Sequence, residues 1–183
     1  NVARLDRIVA DILELGRRDR MQLEPLPLAA FCEHFLDGFA SSQGLAAGVI
    51  VLQIAEDLTI CFDRNHLHQI LWNLVANALR HGTGGLGSVC LRASPAAAAG
   101  QIELHVIDDG SGVPEDVRRQ IFEPFFTTHH LGTGLGLFIA RELCEANGAS
   151  LELAADTDCG HFILVGRTDL CLLPESSGVR AAN

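Results

Sequence analysis

The stretch from Asp63 to His81, DRNHLHQILWNLVANALRH, constrains this chain more than any other. Its apolar residues Leu67, Ile70, Leu71, Leu74, Val75 and Ala78 recur at helical spacing, which predicts an amphipathic helix seated on a core. His66, Gln69, Asn73, Asn77 and Arg80 recur at the same spacing on another face. The amides of Asn73 and Asn77 therefore stand one turn apart, about 5–6 Å between Cβ atoms. Asparagine is a poor helix former because its side chain competes for backbone hydrogen bonds. Two on one face read either as a solvated surface or as a polar ledge that holds a metal-bound phosphate chain. The segments downstream bear on that choice.

The 183 residues, 48% of them hydrophobic, suffice for one substantial domain and an appendage. A net charge of −10 argues against binding to the phosphate backbone of DNA or RNA. No long apolar run reads as a membrane span and no signal-peptide pattern opens the chain, so a cytoplasmic location is expected. The six cysteines, Cys32, Cys61, Cys90, Cys144, Cys159 and Cys171, show no metal-site spacing, and several fall in apolar runs where a buried free thiol is expected. The chain has no lysine, since all 13 basic residues are arginines. That excludes a P-loop, which needs a lysine after its glycines, and a eukaryotic-type protein kinase, which needs a strand lysine.

Residues 1–20 read as a helix with Leu5, Ile8, Ile12 and Leu15 in a coiled-coil rhythm, a seam that needs partner helices. Pro25 and Pro27 predict a linker. Leu28, Phe31, Cys32, Phe35, Leu36 and Phe39 mark a second amphipathic helix that ends near Gly44. Short β-rich runs follow at 49–54 and 58–62, and Asp63 stands where it can cap the asparagine helix. A strand pair is expected at 89–93 and 102–107, a short helix at 114–122, a helix at 135–146 ended by Asn147–Gly148, and a closing strand pair at 150–154 and 161–167. From Pro174 onward the sequence reads as a frayed tail.

Three further motifs carry chemistry. DDGSGVP puts Asp108 at a strand exit beside Gly110 and Gly112, where a flat ligand could approach backbone and donate an exocyclic amine to the carboxylate. An ordinary Asp-Gly turn is the plainer alternative. LGTGLGL places Gly132, Gly134 and Gly136 before an amphipathic helix, so backbone N–H groups and the helix dipole face any anion there. The spacing is not that of a dinucleotide-binding fingerprint, and a glycine hinge would explain it equally. EPFFTT sets Phe122, Phe125 and Phe126 beside a polar loop, as a lid anchor or as core filling.

In this order the four segments resemble the N, G1, F and G2 boxes of the catalytic ATP-binding domain of sensor histidine kinases, within the superfamily that includes gyrase, Hsp90 chaperones and MutL. The resemblance covers about residues 28–170. It implies an α/β fold, a two-layer sandwich of the Bergerat type with a mixed, mainly antiparallel sheet packed on helices. It implies ATP and Mg2+ as ligands, with Asn77 coordinating the metal and Asn73 supporting phosphates and metal shell. Arg80 would contact phosphate and His81 would pack on adenine, whose amine Asp108 would bind in a pocket shaped by Gly110 and Gly112. Thr127 and Thr128, with Gly132, Thr133, Gly134, Leu135, Gly136 and Leu137, would form the lid over the triphosphate. The implied organisation is part of a dimerisation and phosphoacceptor hairpin at 1–22, the catalytic domain at 23–173 and a tail at 174–183. One helix of that hairpin would thus precede the sandwich.

The chain departs from the family pattern in places. His129 and His130 stand where short-lid members often carry lysine, and histidine is mostly uncharged at neutral pH. His66 and His68 face different ways and read as surface or edge residues. None of the eight histidines has an acidic neighbour and nearby proline in the phosphoacceptor context, so the chain reads as a piece of a longer kinase. Superfamily hydrolases place a glutamate one turn before the metal asparagine; here Asn73 stands there, and an amide cannot act as a general base. The implied activity is γ-phosphoryl transfer to a histidine of the hairpin and onward to a response-regulator aspartate. A non-catalytic ATP-binding regulatory module and a hydrolytic ATPase are the alternatives. The short lid and LGRRDR, residues 15–20, are similar to sensors paired with nitrogen-regulation-type regulators, including the type IV pilus type. Implied partners are the chain's own hairpin, as a homodimer, and a response regulator, with membrane attachment only through N-terminal segments.

Overall fold

The computed structural model describes residues 21–128, 132–155 and 157–169. The expected N-terminal helix, the tail, His129, His130 and Cys171 lie outside the described residues. Among the described residues seven strands and three helices run in the order β1 (Leu23–Pro27), α1 (Leu28–Gln43), β2 (Ile50–Gln53), β3 (Thr59–Asp63), α2 (Arg64–His81), β4 (Val89–Pro95), β5 (Gln101–Asp108), α3 (Gly136–Ala146), β6 (Ser150–Leu153) and β7 (His161–Arg167). Five strands form one sheet in the order β2-β4-β5-β7-β6. The β2–β4 pair is parallel and the other pairs are antiparallel. The expected mixed, mainly antiparallel sheet packed on helices is therefore present.

Alternation along β5 decides the layers. Ile102, Leu104, Val106 and Asp108 share one face, and Gln101, Glu103, His105 and Ile107 share the other. Ile102, Leu104 and Val106 pack with Leu67, Ile70, Leu71 and Leu74 of α2 and with Ile139, Ala140 and Leu143 of α3 in one buried cluster. Burial of each such leucine or isoleucine contributes about 1.5–3 kcal/mol, so this cluster fixes the register of β5. Asp108 has the parity of the core side. The strand therefore delivers its terminal carboxylate under the helices.

Two sequence expectations are corrected. Pro25 and Pro27 belong to no linker: β1 pairs antiparallel with β3, Pro25 opposite Cys61 and Pro27 opposite Thr59. The two prolines share parity, so their missing N–H groups fall on the same side of this edge strand, while Leu26 between them is fully buried. Residues 114–122 form a chain of turns instead of an α-helix. Val117 and Gln120 donate to the carbonyls three residues back, and Arg118 Nε takes the Val113 carbonyl at 3.0 Å, where a helix would place the amide of Val117.

Asp63 caps α2 as expected, accepting from the amides of Asn65 (2.9 Å) and His66 (3.1 Å). Asn147, 2% exposed, locks that cap to the end of α3. Its Oδ1 accepts the Asp63 amide at 2.8 Å, and its Nδ2 donates to Leu143 O at 2.7 Å and lies 2.8 Å from His66 Nδ1. His66 is half-buried at the helix edge with its Nδ1 beside Asn147, and His68 is exposed and edge-on to Phe35 at 5.2 Å, so both hold the surface or edge positions expected. Cys32, Cys90, Cys144 and Cys159 are free thiols, whereas Cys61 is disulfide-bonded. Among the described residues no helix is long and apolar enough to cross a membrane.

Candidate functional site

The polar face of α2 fronts a cavity of about 770 Å3. Its floor is the asparagine ledge, its inner end the Asp108 turn, and its outer wall the threonine and glycine run before α3. Asn73, Asn77, Arg80, His81, Asp108, Gly112, Thr127, Thr128, Gly132, Thr133, Gly134, Gly136 and Leu137 all line it. These residues lie in three separate segments, at 73–81, 108–112 and 127–137, which are brought together because α2 and α3 pack on the same sheet in one core.

Asn73 faces the start of α3, where a Cβ on Gly136 would lie 3.4 Å from its Oδ1. Its Nδ2 is buried and finds no hydrogen-bond partner among the described residues. An unpaired buried amide costs about 1–3 kcal/mol, so this donor points to an acceptor that the described residues do not supply. The ledge, the lone donor and the free N–H groups at the α3 start fit an oxygen-rich, metal-bearing anion. Among the described residues no group of three or more His, Cys, Asp or Glu side chains could hold a metal by itself. A metal here would take its remaining ligands from the anion and water, as Mg2+ does with phosphates.

Asp108 closes the other end. It is 4% exposed, and its Oδ1 accepts the Gly110 amide at 2.9 Å and the Gly160 amide at 3.3 Å. Burial pushes its carboxyl above the usual range, although both amides oppose the shift. Gly160 also accepts the Asp108 amide at 2.8 Å, and a Cβ there would strike the carboxylate, with Asp108 Cγ at 2.7 Å. Gly160 lines the cavity and escaped the sequence reading; a glycine opening a strand was its only signal. Asp109 is turned away, bound to the Thr83 amide and hydroxyl at 2.7 and 2.6 Å, which hold its carboxyl below the usual range.

Gly110 and Leu135 do not line the cavity. Gly110 packs against the His81 carbonyl, too close for any side chain, and so seats the turn on the end of α2. Leu135 is 3% exposed and serves the core. Phe125 also departs from its expected anchoring role: its ring is 65% exposed, and its backbone does the work, donating to Gly134 O at 2.8 Å with φ 68. Gly134 has φ +72, and a Cβ there would meet Phe125 O at 2.6 Å. Phe122 is edge-on to Phe162 at 6.2 Å, and Phe126 lines the cavity. Trp72, Phe39 and Gln69 extend the lining toward α1, with Trp72 edge-on to Phe39 at 4.8 Å.

Residues 62–169 match the family model described as histidine kinase-, DNA gyrase B-, and HSP90-like ATPase. Sensor protein kinase PilS of Pseudomonas aeruginosa is 36% identical over 151 residues, 81% of this chain and 28% of that protein. Sensor histidine kinase ZraS of Escherichia coli K12 is 32% identical over 160 residues, 86% of this chain and 33% of that protein. The chain spans about a third or less of these curated relatives. Full-length ShkA in complex with AMPPNP superposes with a TM-score of 0.71 at 29% identity, covering 90% of this chain and 35% of that one. Histidine kinase ThkA in complex with response regulator protein TrrA gives 0.69 at 25% identity, covering 91% and 48%.

Proposed function

The chain belongs to the family of histidine kinase-, DNA gyrase B- and HSP90-like ATPases, and on that premise we propose that it holds Mg2+-ATP and presents the γ-phosphoryl to a histidine on a separate helical hairpin. The observation that carries this reading is the pairing of the unpartnered Asn73 amide on the ledge with the buried Asp108 carboxylate across one cavity. Asp108 accepts the exocyclic amine of adenine, with Gly112 at the plane of the base and His81 at its edge. Asn73 and Arg80 donate to phosphate oxygens, and Asn77 offers its carbonyl oxygen to the metal. The N–H groups of Gly134, Gly136 and Leu137 receive the distal phosphates. Mg2+, when bound, neutralises charge on the phosphates during transfer.

Phosphoryl transfer needs positioning and charge stabilisation more than a protein base. Asn73 cannot deprotonate water, which favours transfer over hydrolysis. The acceptor imidazole belongs to the hairpin, which also forms the homodimer, and a response regulator takes the phosphoryl next. In the intact protein this domain works on the cytoplasmic side, with any membrane attachment made by other segments. ThkA is seen with a response regulator, which supports the same kind of partner here.

Labelled ATP tests this. The chain alone should bind ATP without acquiring acid-labile label; with its parent hairpin added, label should appear on a hairpin histidine. Label on the chain by itself would show the acceptor to be misplaced. Normal ATP binding with an unlabelled hairpin would favour a regulatory module, and steady phosphate release by the chain a hydrolase.

A further inference from the structure

The far side of the sheet carries a histidine pair that the nucleotide chemistry does not use. His105 of β5 is only 5% exposed, although it points away from the helices. Its Nδ1 lies 2.9 Å from Nε2 of His161 at the start of β7, and the ring centroids are 5.2 Å apart. Its Nε2 faces Glu103 Oε2 at 3.4 Å. Arg92 of β4 is the register partner of His105, and Cys90 is that of Ile107. On the other side Ile163 separates His105 from Glu152 of β6. The pair is thus bracketed by the Arg92 cation, by the adjoining Glu103 carboxylate and, more distantly, by Glu152.

Proton counting gives this arrangement two regimes. With no added proton, one imidazole donates to the other across 2.9 Å. With one added proton the bond survives, because the imidazolium donates to its neighbour and Glu103 receives the opposite N–H. A second proton puts an N–H on both facing nitrogens. The bond is lost, and two like charges oppose each other beside Arg92.

What the pair touches makes this consequential. His161 follows Gly160 directly, and Gly160 holds Asp108 through both its amide and its carbonyl, at 3.3 and 2.8 Å. We propose that the His105–His161 pair is a proton-operated latch on the back of the nucleotide pocket, whose double protonation parts the ends of β5 and β7, frees Asp108 from Gly160 and lowers nucleotide affinity. The latch rests on the reading of Asp108 as the adenine acceptor.

The direction of the pH effect follows from the surroundings. Burial, then the Arg92 charge, pulls His105 below the ordinary imidazole pKa despite Glu103; burial, then His105 and Arg92, pulls His161 down likewise. The unfolded chain therefore binds protons first as pH falls. The latch holds fully above the ordinary imidazole range and yields in the acidic interval beneath it.

The test is calorimetric titration with Mg2+-ATP at about pH 7.5 and about pH 5.5, on the natural chain and on His161→Gln, whose amide can still donate to His105 without titrating. Acidification should cost the natural chain about tenfold more affinity than the variant, the equivalent of one pKa unit of coupling. Titration of ATP and Asp108 is common to both and cancels. Equal losses would overturn the latch. Absence of binding at the higher pH would overturn the nucleotide reading itself. Should the variant fold poorly, amide exchange of Asp108 and Gly160 in the natural chain decides: protection that falls at the lower pH, after correction for intrinsic rates, supports the latch, and unchanged protection refutes it.

Discussion

Asp108→Asn separates reading a base from holding the fold. Oδ1 of Asp108 is committed to the Gly110 and Gly160 amides at 2.9 and 3.3 Å. An asparagine must keep its oxygen there, so its amide nitrogen takes the position of Oδ2. A donor then faces the donor amine of adenine, and the acceptor is lost outright. A charge-assisted hydrogen bond contributes about 1.5–3 kcal/mol, so Mg2+-ATP affinity should fall roughly ten- to 150-fold. Stability should behave differently. Burial pushes the Asp108 carboxyl up, which means its charged form is disfavoured in the folded state. A raised carboxyl supplies stability below its unfolded pKa and loses it as pH rises through the folded one. The neutral amide never carries that penalty, which offsets its weaker bonds to the two amides. The thermal midpoint of the free chain should therefore not drop at neutral pH. The assays are calorimetry for affinity and circular dichroism for melting. Unchanged affinity, or affinity and midpoint falling together, would refute the reasoning.

Asn77→Ala should abolish the Mg2+ dependence of ATP binding while leaving metal-free nucleotide binding largely intact; titration with and without EDTA reads the difference. Gly134→Ala forces a side chain into φ +72 against the Phe125 carbonyl, at a cost of about 1–3 kcal/mol. That should loosen the turn before α3 and weaken ATP, with far-UV dichroism unchanged. Asn147→Ala removes the bonds to Asp63, Leu143 and His66, and urea unfolding should show about 1–3 kcal/mol lost. For Asp63, burial pushes upward, but the Gln22, His66 and Asn65 amides and the His66 charge together bring its carboxyl below the usual range. Its stabilising contribution is therefore present at neutral pH and lost as pH falls through that lowered value, a slope that Asp63→Asn should flatten in acid unfolding.

Much of this molecule was legible in one dimension because the determinants are local. The period of Leu67 to Ala78 specifies a helix with one face in the core, and Asp63 caps it within two to three residues, so α2 required no tertiary information. The strand pairs at β4–β5 and β6–β7 were likewise announced by alternation and short connections. The asparagine ledge followed from the same helical period, since Asn73 and Asn77 share a face that flanks the apolar stripe.

Tertiary structure decided what depends on parity and proximity. Pro25 and Pro27 read as a linker because proline breaks most ladders, yet on an edge strand their missing donors face outward and the pairing with β3 survives. Residues 114–122 read as helix, but a side chain, Arg118, took the carbonyl that the helix required. Gly160 carried almost no local signal. Its role arises because β7 lies beside β5, 52 residues away in sequence (160 − 108), and leaves no space between its backbone and the Asp108 carboxylate. The His105–His161 contact has the same origin. Helical and strand periods are properties of a segment, whereas the partner of a side chain is set by which segments the buried core brings together.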